Sequence, residues 1–263
     1  PHVEVWRDYL HQAEQRGLYP TLAQALVQLQ FPIQAEISTT EGYRLATRKG
    51  QPSTQAGPGV ALADPDGLDL LIHPPLAGAI PVLVPGCRAD FVALLQALTK
   101  RNEPVEIPDS MGACIIGGYN NWDRVRRYRQ QWQAEQPEAC SEQDWLLEFS
   151  SHLVPQKALY QDRFIVLSRG YYSNVGPDQL GLDEADWLRL SLTIRLEHEC
   201  THYVTRRCFN SMRNNVLDEL IADYFGILAA HGSYRADWFL RFVGLEHFPD
   251  YRHSGRLHLY LGD

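Results

Sequence analysis

Apolar residues recur at spacings of three and four over residues 3–16 and 21–30, predicting two amphipathic helices before Pro32. From residue 38 to 59 that period dissolves into Thr, Gly, Ser, Pro and Gln, which reads as turns, a long loop or short strands. The run IPVLVPG at 80–86 suits a buried strand. Helical spacing resumes over 88–100, with Phe91, Leu94, Leu95 and Leu98 on one face. Turn signals then surround a short apolar core at 114–116, and a polar helix follows over 122–133. The segment GGYNNW at 117–122 reads as a structural turn, its aromatics suggesting a recognition loop as the alternative.

The later chain offers a helix near 142–152 and a β-branched strand at 163–170. Asp183 is a good N-cap for a long helix, with Asp186 three residues on. These elements predict an α+β protein. The Pro-containing stretch at 135–138 divides a mixed α/β region, 1–139, which could shape a substrate cleft, from a second domain, 140–263.

Hydrophobic residues at 44%, charged residues at 21%, and 13 Tyr, 9 Phe and 6 Trp indicate a chain that folds. A net charge of −8 argues against nucleic acid or an anionic membrane as partner. Arg124, Arg126, Arg127 and Arg129 run against that balance and read as a solvated helix face. No apolar run approaches the ~20 residues that span a bilayer, and the first residues lack the layout of a secretory signal. The five scattered cysteines form no CxxC pair, so neither a disulfide framework nor a cysteine-rich zinc module is expected. A cytoplasmic protein follows as the expectation.

The chemistry concentrates in the long helix. His198 and His202 stand four residues apart, hence on one helical face, where two imidazoles can share a cation. Glu199 follows the first histidine and would lie beside the metal rather than on it, which completes an H-E-x-x-H pattern. Further on, VLDELIADYFGIL places Glu219 and Asp223 on one face of an otherwise apolar helix. Buried carboxylates need partners. A metal would satisfy Glu219, and a ring N–H of a ligand histidine would satisfy Asp223.

HECTH at 198–202 followed by Glu219-x-x-x-Asp223 resembles the gluzincin branch of the zincin metallopeptidases. The resemblance covers only residues 198–223. It implies a zincin-like catalytic half, with an active-site helix and a small sheet. It further implies Zn²⁺ held by His198, His202 and Glu219, Glu199 as general base, and Asp223 behind His198. It also suggests that the strand around 164–168 borders the cleft and could pair with an extended substrate. The metzincin continuation is absent, Thr205 and Cys208 standing at its positions.

The expected function is therefore zinc-dependent hydrolysis of a peptide or protein substrate. A non-catalytic zinc protein that captures a partner, and a hydrolase of a non-peptide amide, remain open as alternatives. The developing oxyanion needs one more donor. Candidates lie in the tail YRHSGRLHLYLGD, above all Arg256 and Tyr260 as catalytic residues, or in Tyr171 and Tyr172. Cys200 should pack in the core, and Glu197 should be solvated or paired with an arginine.

Overall fold

The computed structural model describes residues 2–51, 58–136, 141–209 and 215–260. Its helices are α1 (His2–Arg16), α2 (Leu18–Ala25), α3 (Glu41–Lys49), α4 (Arg88–Thr99), α5 (Trp122–Glu135), α6 (Glu142–Glu148), α7 (Glu184–Phe209), α8 (Asn215–His231), α9 (Ala236–Val243) and α10 (Leu257–Tyr260). Four strands, β1 (Asp69–His73), β2 (Ile80–Val84), β3 (Ala113–Asn120) and β4 (Gln161–Leu167), form one sheet in the order β1-β2-β4-β3. The class is α+β, as the hydrophobic pattern predicts. Among the described residues no helix is long and apolar enough to cross a membrane.

The chain forms two compact units, Pro1–Ile72, Pro81–Ile107 and Ile116–Phe164 in one, His73–Ile80, Pro108–Ile115 and Ile165–Asp263 in the other. The predicted cut near residue 139 does not coincide with these limits, and 137–140 lie outside the described residues. Aromatic packing explains the difference. Trp145 of α6 and Leu153 join Trp122, Val125, Tyr43 and Phe31 in one buried cluster, which keeps the segment after residue 140 with the first unit.

Three local expectations change. Residues 41–49 are helical, because Thr40 caps the amide of Tyr43, Tyr43 and Ala46 bury one face, and Gly50 ends the turn at φ 65°. The short apolar core at 114–116 belongs to a strand that runs on through the glycines to Asn120, and Asn121 then caps α5. The strand at 161–167 lies between β2 and β3, so its backbone groups are engaged on both sides and it cannot add an extended substrate.

The arginine cluster of α5 is only partly a solvated face. Arg124 is buried, its guanidinium 2.7 Å from Asp162, which also accepts from Trp6 Nε1 at 2.9 Å and Asn121 Nδ2 at 2.7 Å. Buried charge is tolerated there because these donors meet oxygens, Arg124 also donating to the carbonyls of Ala158 at 2.7 Å and Gln161 at 3.0 Å.

In the second unit α7 and α8 pack along each other, and Gly226 makes the close approach possible. A Cβ there would lie 2.7 Å from the Ile194 carbonyl oxygen. Trp187, Leu190, Ile194, Ile227, Trp238 and Phe242 form the core around this pair.

Candidate metal centre

Helix α7 begins at the predicted cap, the Asp186 amide donating to Asp183 Oδ1 at 2.9 Å. One turn above the motif, Arg195 holds the segment that follows β4. Its guanidinium donates to the carbonyls of Ser168 at 2.7 Å, Gly170 at 3.2 Å and Tyr171 at 3.1 Å. The Tyr172 amide donates to Ser191 Oγ at 3.0 Å, so Tyr172 is fixed against α7 and its ring reaches His198.

The four-residue spacing brings His198 Nε2 and His202 Nε2 within 3.0 Å of each other. Glu219 of α8 joins them, Oε2 lying 3.3 Å from His198 Nε2 and Oε1 3.4 Å from His202 Nε2. Ligand atoms bound at ~2.05 Å around a tetrahedral ion are separated by roughly 3.3 Å. The trio therefore fits a zinc-sized cation, and the three residues form a group able to hold a metal. Two bare imidazole lone pairs at 3.0 Å would repel, so the arrangement requires positive charge, a proton or a metal ion, between them.

Each histidine is backed by a carboxylate at its other nitrogen. His198 Nδ1 lies 2.9 Å from Asp223 Oδ1, and His202 Nδ1 lies 2.9 Å from Asp218 Oδ2. A ring N–H committed to a carboxylate leaves the Nε2 lone pair for a metal and makes it more basic. Asp218 is in turn fixed by the Thr205 hydroxyl, which donates to Oδ1 at 2.8 Å.

Asp223 is fully buried and collects donors from three further side chains. The Tyr172 hydroxyl donates at 2.6 Å, Arg256 Nη2 lies 2.8 Å from both carboxylate oxygens, and the Tyr260 hydroxyl donates to Oδ2. Burial opposes the charge of Asp223, yet Arg256 and His198 hold its carboxyl well below the usual range. Burial likewise opposes charge on His198, but its hydrogen bonds to Asp223 and Glu219 raise the imidazole pKa to about 9. Burial works against Glu219 too, and the two histidines outweigh it, lowering that carboxyl. Burial raises the phenols of Tyr172 and Tyr260, so both remain donors.

The structure thus gathers His198, His202, Glu219 and Asp223 as the spacing suggests. Glu199 is half-buried and has no hydrogen-bond or ion-pair partner among the described residues. The tail does return to the site, but Arg256 and Tyr260 are placed against Asp223, and Tyr172 with them. Tyr171 donates instead to Glu184 at 2.7 Å. Cys200 is buried and its thiol pKa is raised by burial, whereas Glu197 pairs with His73 at 2.8 Å rather than with an arginine.

Asp218 is the participant that the sequence reading missed. The available signal was stoichiometric: two ligand histidines present two Nδ1–H groups, and Asp223 can satisfy only one. No curated protein and no solved structure matches the chain. The profile of DUF7005, a family of unknown function, matches residues 1–263, and the chain therefore belongs to that family.

Proposed function

We propose that the protein is a zinc-dependent hydrolase of peptide (amide) bonds, with His198, His202 and Glu219 as the metal ligands and Glu199 as general base. The observation that carries this reading is the convergence of two imidazole Nε2 atoms and one carboxylate at 3.0–3.4 Å, each imidazole backed by its own aspartate. The likeness of HECTH and Glu219-x-x-x-Asp223 to the gluzincins supports it further, and α7 and α8, which carry the two halves of that pattern, pack along each other.

Zinc, when bound by three protein ligands, supplies a Lewis acid that polarises the substrate carbonyl and lowers the pKa of water. Glu199, adjacent to His198 and without a partner among the described residues, takes the proton of the attacking water and passes it to the leaving nitrogen as the C–N bond breaks. Asp218 and Asp223 keep both imidazoles in the tautomer that presents Nε2. Arg256, Tyr260 and Tyr172 act through Asp223. The two hydroxyls and Arg256 Nη2 are engaged there, and Arg256 Nε is buried with no hydrogen-bond partner among the described residues, so all three are assigned as positioning residues rather than oxyanion donors.

Three donors in the group among the described residues, rather than four, favour hydrolysis over a structural zinc site. Glu199→Gln tests the reading against a peptide library. It should leave metal content unchanged while turnover falls by at least a hundredfold, the span of general acid–base catalysis. Retained hydrolysis removes Glu199 as base, and no cleavage of any peptide by the zinc-loaded wild type removes the peptidase reading.

A further inference from the structure

A second chemistry-bearing cavity lies within the first unit, built from α3, α5 and α6. Its volume is about 410 Å³, within the range of small-molecule sites. Trp122, Val125, Trp145 and Phe149 supply an apolar floor, and Trp122 and Phe149 lie nearly parallel, 18° apart. Gly50 makes one wall possible: a Cβ there would meet the Trp122 ring at 2.2 Å, so only glycine lets α3 end against that face.

The rim is cationic. Arg48, Lys49, Arg126 and Arg129 border the cavity against one acid, Glu142, in a chain whose net charge is −8. Arg129 is used, paired with Glu142 and stacked 5.2 Å from the Trp145 ring centre, and Arg126 lies 3.3 Å from Asp123. Arg48 and Lys49 have no ion-pair or hydrogen-bond partner among the described residues. Cations in the last turn of a helix also complement its carbonyl end. Here, however, they stand exposed at the rim of an aromatic-floored cavity, where an anion would receive both charges.

We propose that this cavity binds a small aromatic anion, a flat ring system carrying a carboxylate, sulfonate or phosphate. The ring lies on the Trp122, Trp145 and Phe149 floor, and the anionic group meets Arg48 and Lys49. This site is separate from the metal centre in residues and chemistry, and it stands whether or not the protein is a hydrolase.

The test is isothermal titration of the full chain with 2-naphthoate, in the presence of EDTA so that no bound metal can capture the carboxylate. Neutral 2-naphthamide, with the same ring, is the comparison. Saturable 1:1 binding of the naphthoate is expected, at least tenfold tighter than the amide. The double variant Arg48→Gln/Lys49→Gln, checked for unchanged circular dichroism, should bind about tenfold more weakly, the loss of two exposed ion pairs. Lys100→Gln, an exposed cation outside the lining, should bind as wild type does. No saturable binding at millimolar naphthoate, equal affinity for acid and amide, or unchanged affinity in the double variant overturns the proposal.

Discussion

Replacing Asp223 by Asn keeps the side chain's size and removes one charge. Asp223 is fully buried, and His198, Tyr172, Tyr260 and Arg256 all direct donors at it. The substitution leaves the Arg256 guanidinium, its side chain 16% exposed, as a cation without its carboxylate. Breaking a buried pair by neutralising one partner costs about 3–5 kcal/mol. The Asn carbonyl still accepts one hydrogen bond, which places the expected loss near the lower end. At roughly 2–4 °C per kcal/mol for a domain of this size class, the unfolding midpoint should fall by about 6–12 °C. Thermal unfolding followed by circular dichroism in EDTA isolates this effect from metal binding. The double variant Asp223→Asn/Arg256→Met removes the orphaned charge and should recover at least ~1 kcal/mol relative to Asp223→Asn alone, as coupled partners do. A midpoint unchanged by Asp223→Asn, or a double variant whose loss is the sum of the two singles, would refute this account of the buried cluster.

Asp218→Asn should lower zinc affinity about 10–100-fold in a chelator competition titration, because His202 loses the charged acceptor that orients it, and unchanged affinity would dismiss Asp218 from that role. Gly226→Ala inserts a methyl 2.7 Å from a backbone oxygen of α7, so urea unfolding should show a loss of about 1–3 kcal/mol, against the gain expected for alanine in an open helix position. Glu103 is held below the ordinary glutamate value of 4.5 by hydrogen bonds from the Ser38 side chain and from the amides of Ser38 and Glu36. A lowered carboxyl stabilises the fold above its unfolded pKa and ceases to do so as pH falls through the folded one. The stability gap between wild type and Glu103→Gln should therefore be full near neutrality and close below about pH 4.5, and a pH-independent gap in denaturant titrations would contradict it.

Long elements with a clean period were readable from the chain: α1, α4, α5 and α7 present their apolar residues every three or four positions. Helix α3 was not, because only Tyr43 and Ala46 are buried in a segment of Thr, Arg and Gly, and its caps at Thr40 and Gly50 carry the signal instead. Strand β4 was readable, but its place between β2 and β3 was not, since strand order depends on contacts that no local pattern encodes. At the site, His198, Glu199 and His202 follow from helical spacing alone, as do Glu219 and Asp223. Asp218 sits one residue before Glu219, a position that reads as solvated, and it reaches His202 only because α7 and α8 pack together. Arg256 and Tyr260 look like oxyanion donors in a polar tail. The structure instead commits both to Asp223, a pairing that depends on where the tail folds back.

On the proposed function, His198, His202 and Glu219 together hold one zinc ion. The most direct test is zinc content by elemental analysis after saturation and exhaustive dialysis, on wild type, His198→Ala and Glu219→Ala, each checked for a native circular dichroism spectrum. The wild type should carry close to one zinc per chain, and both variants should lose most of it. A wild type that retains no zinc, or a Glu219→Ala variant that retains as much as the wild type, would contradict that assignment.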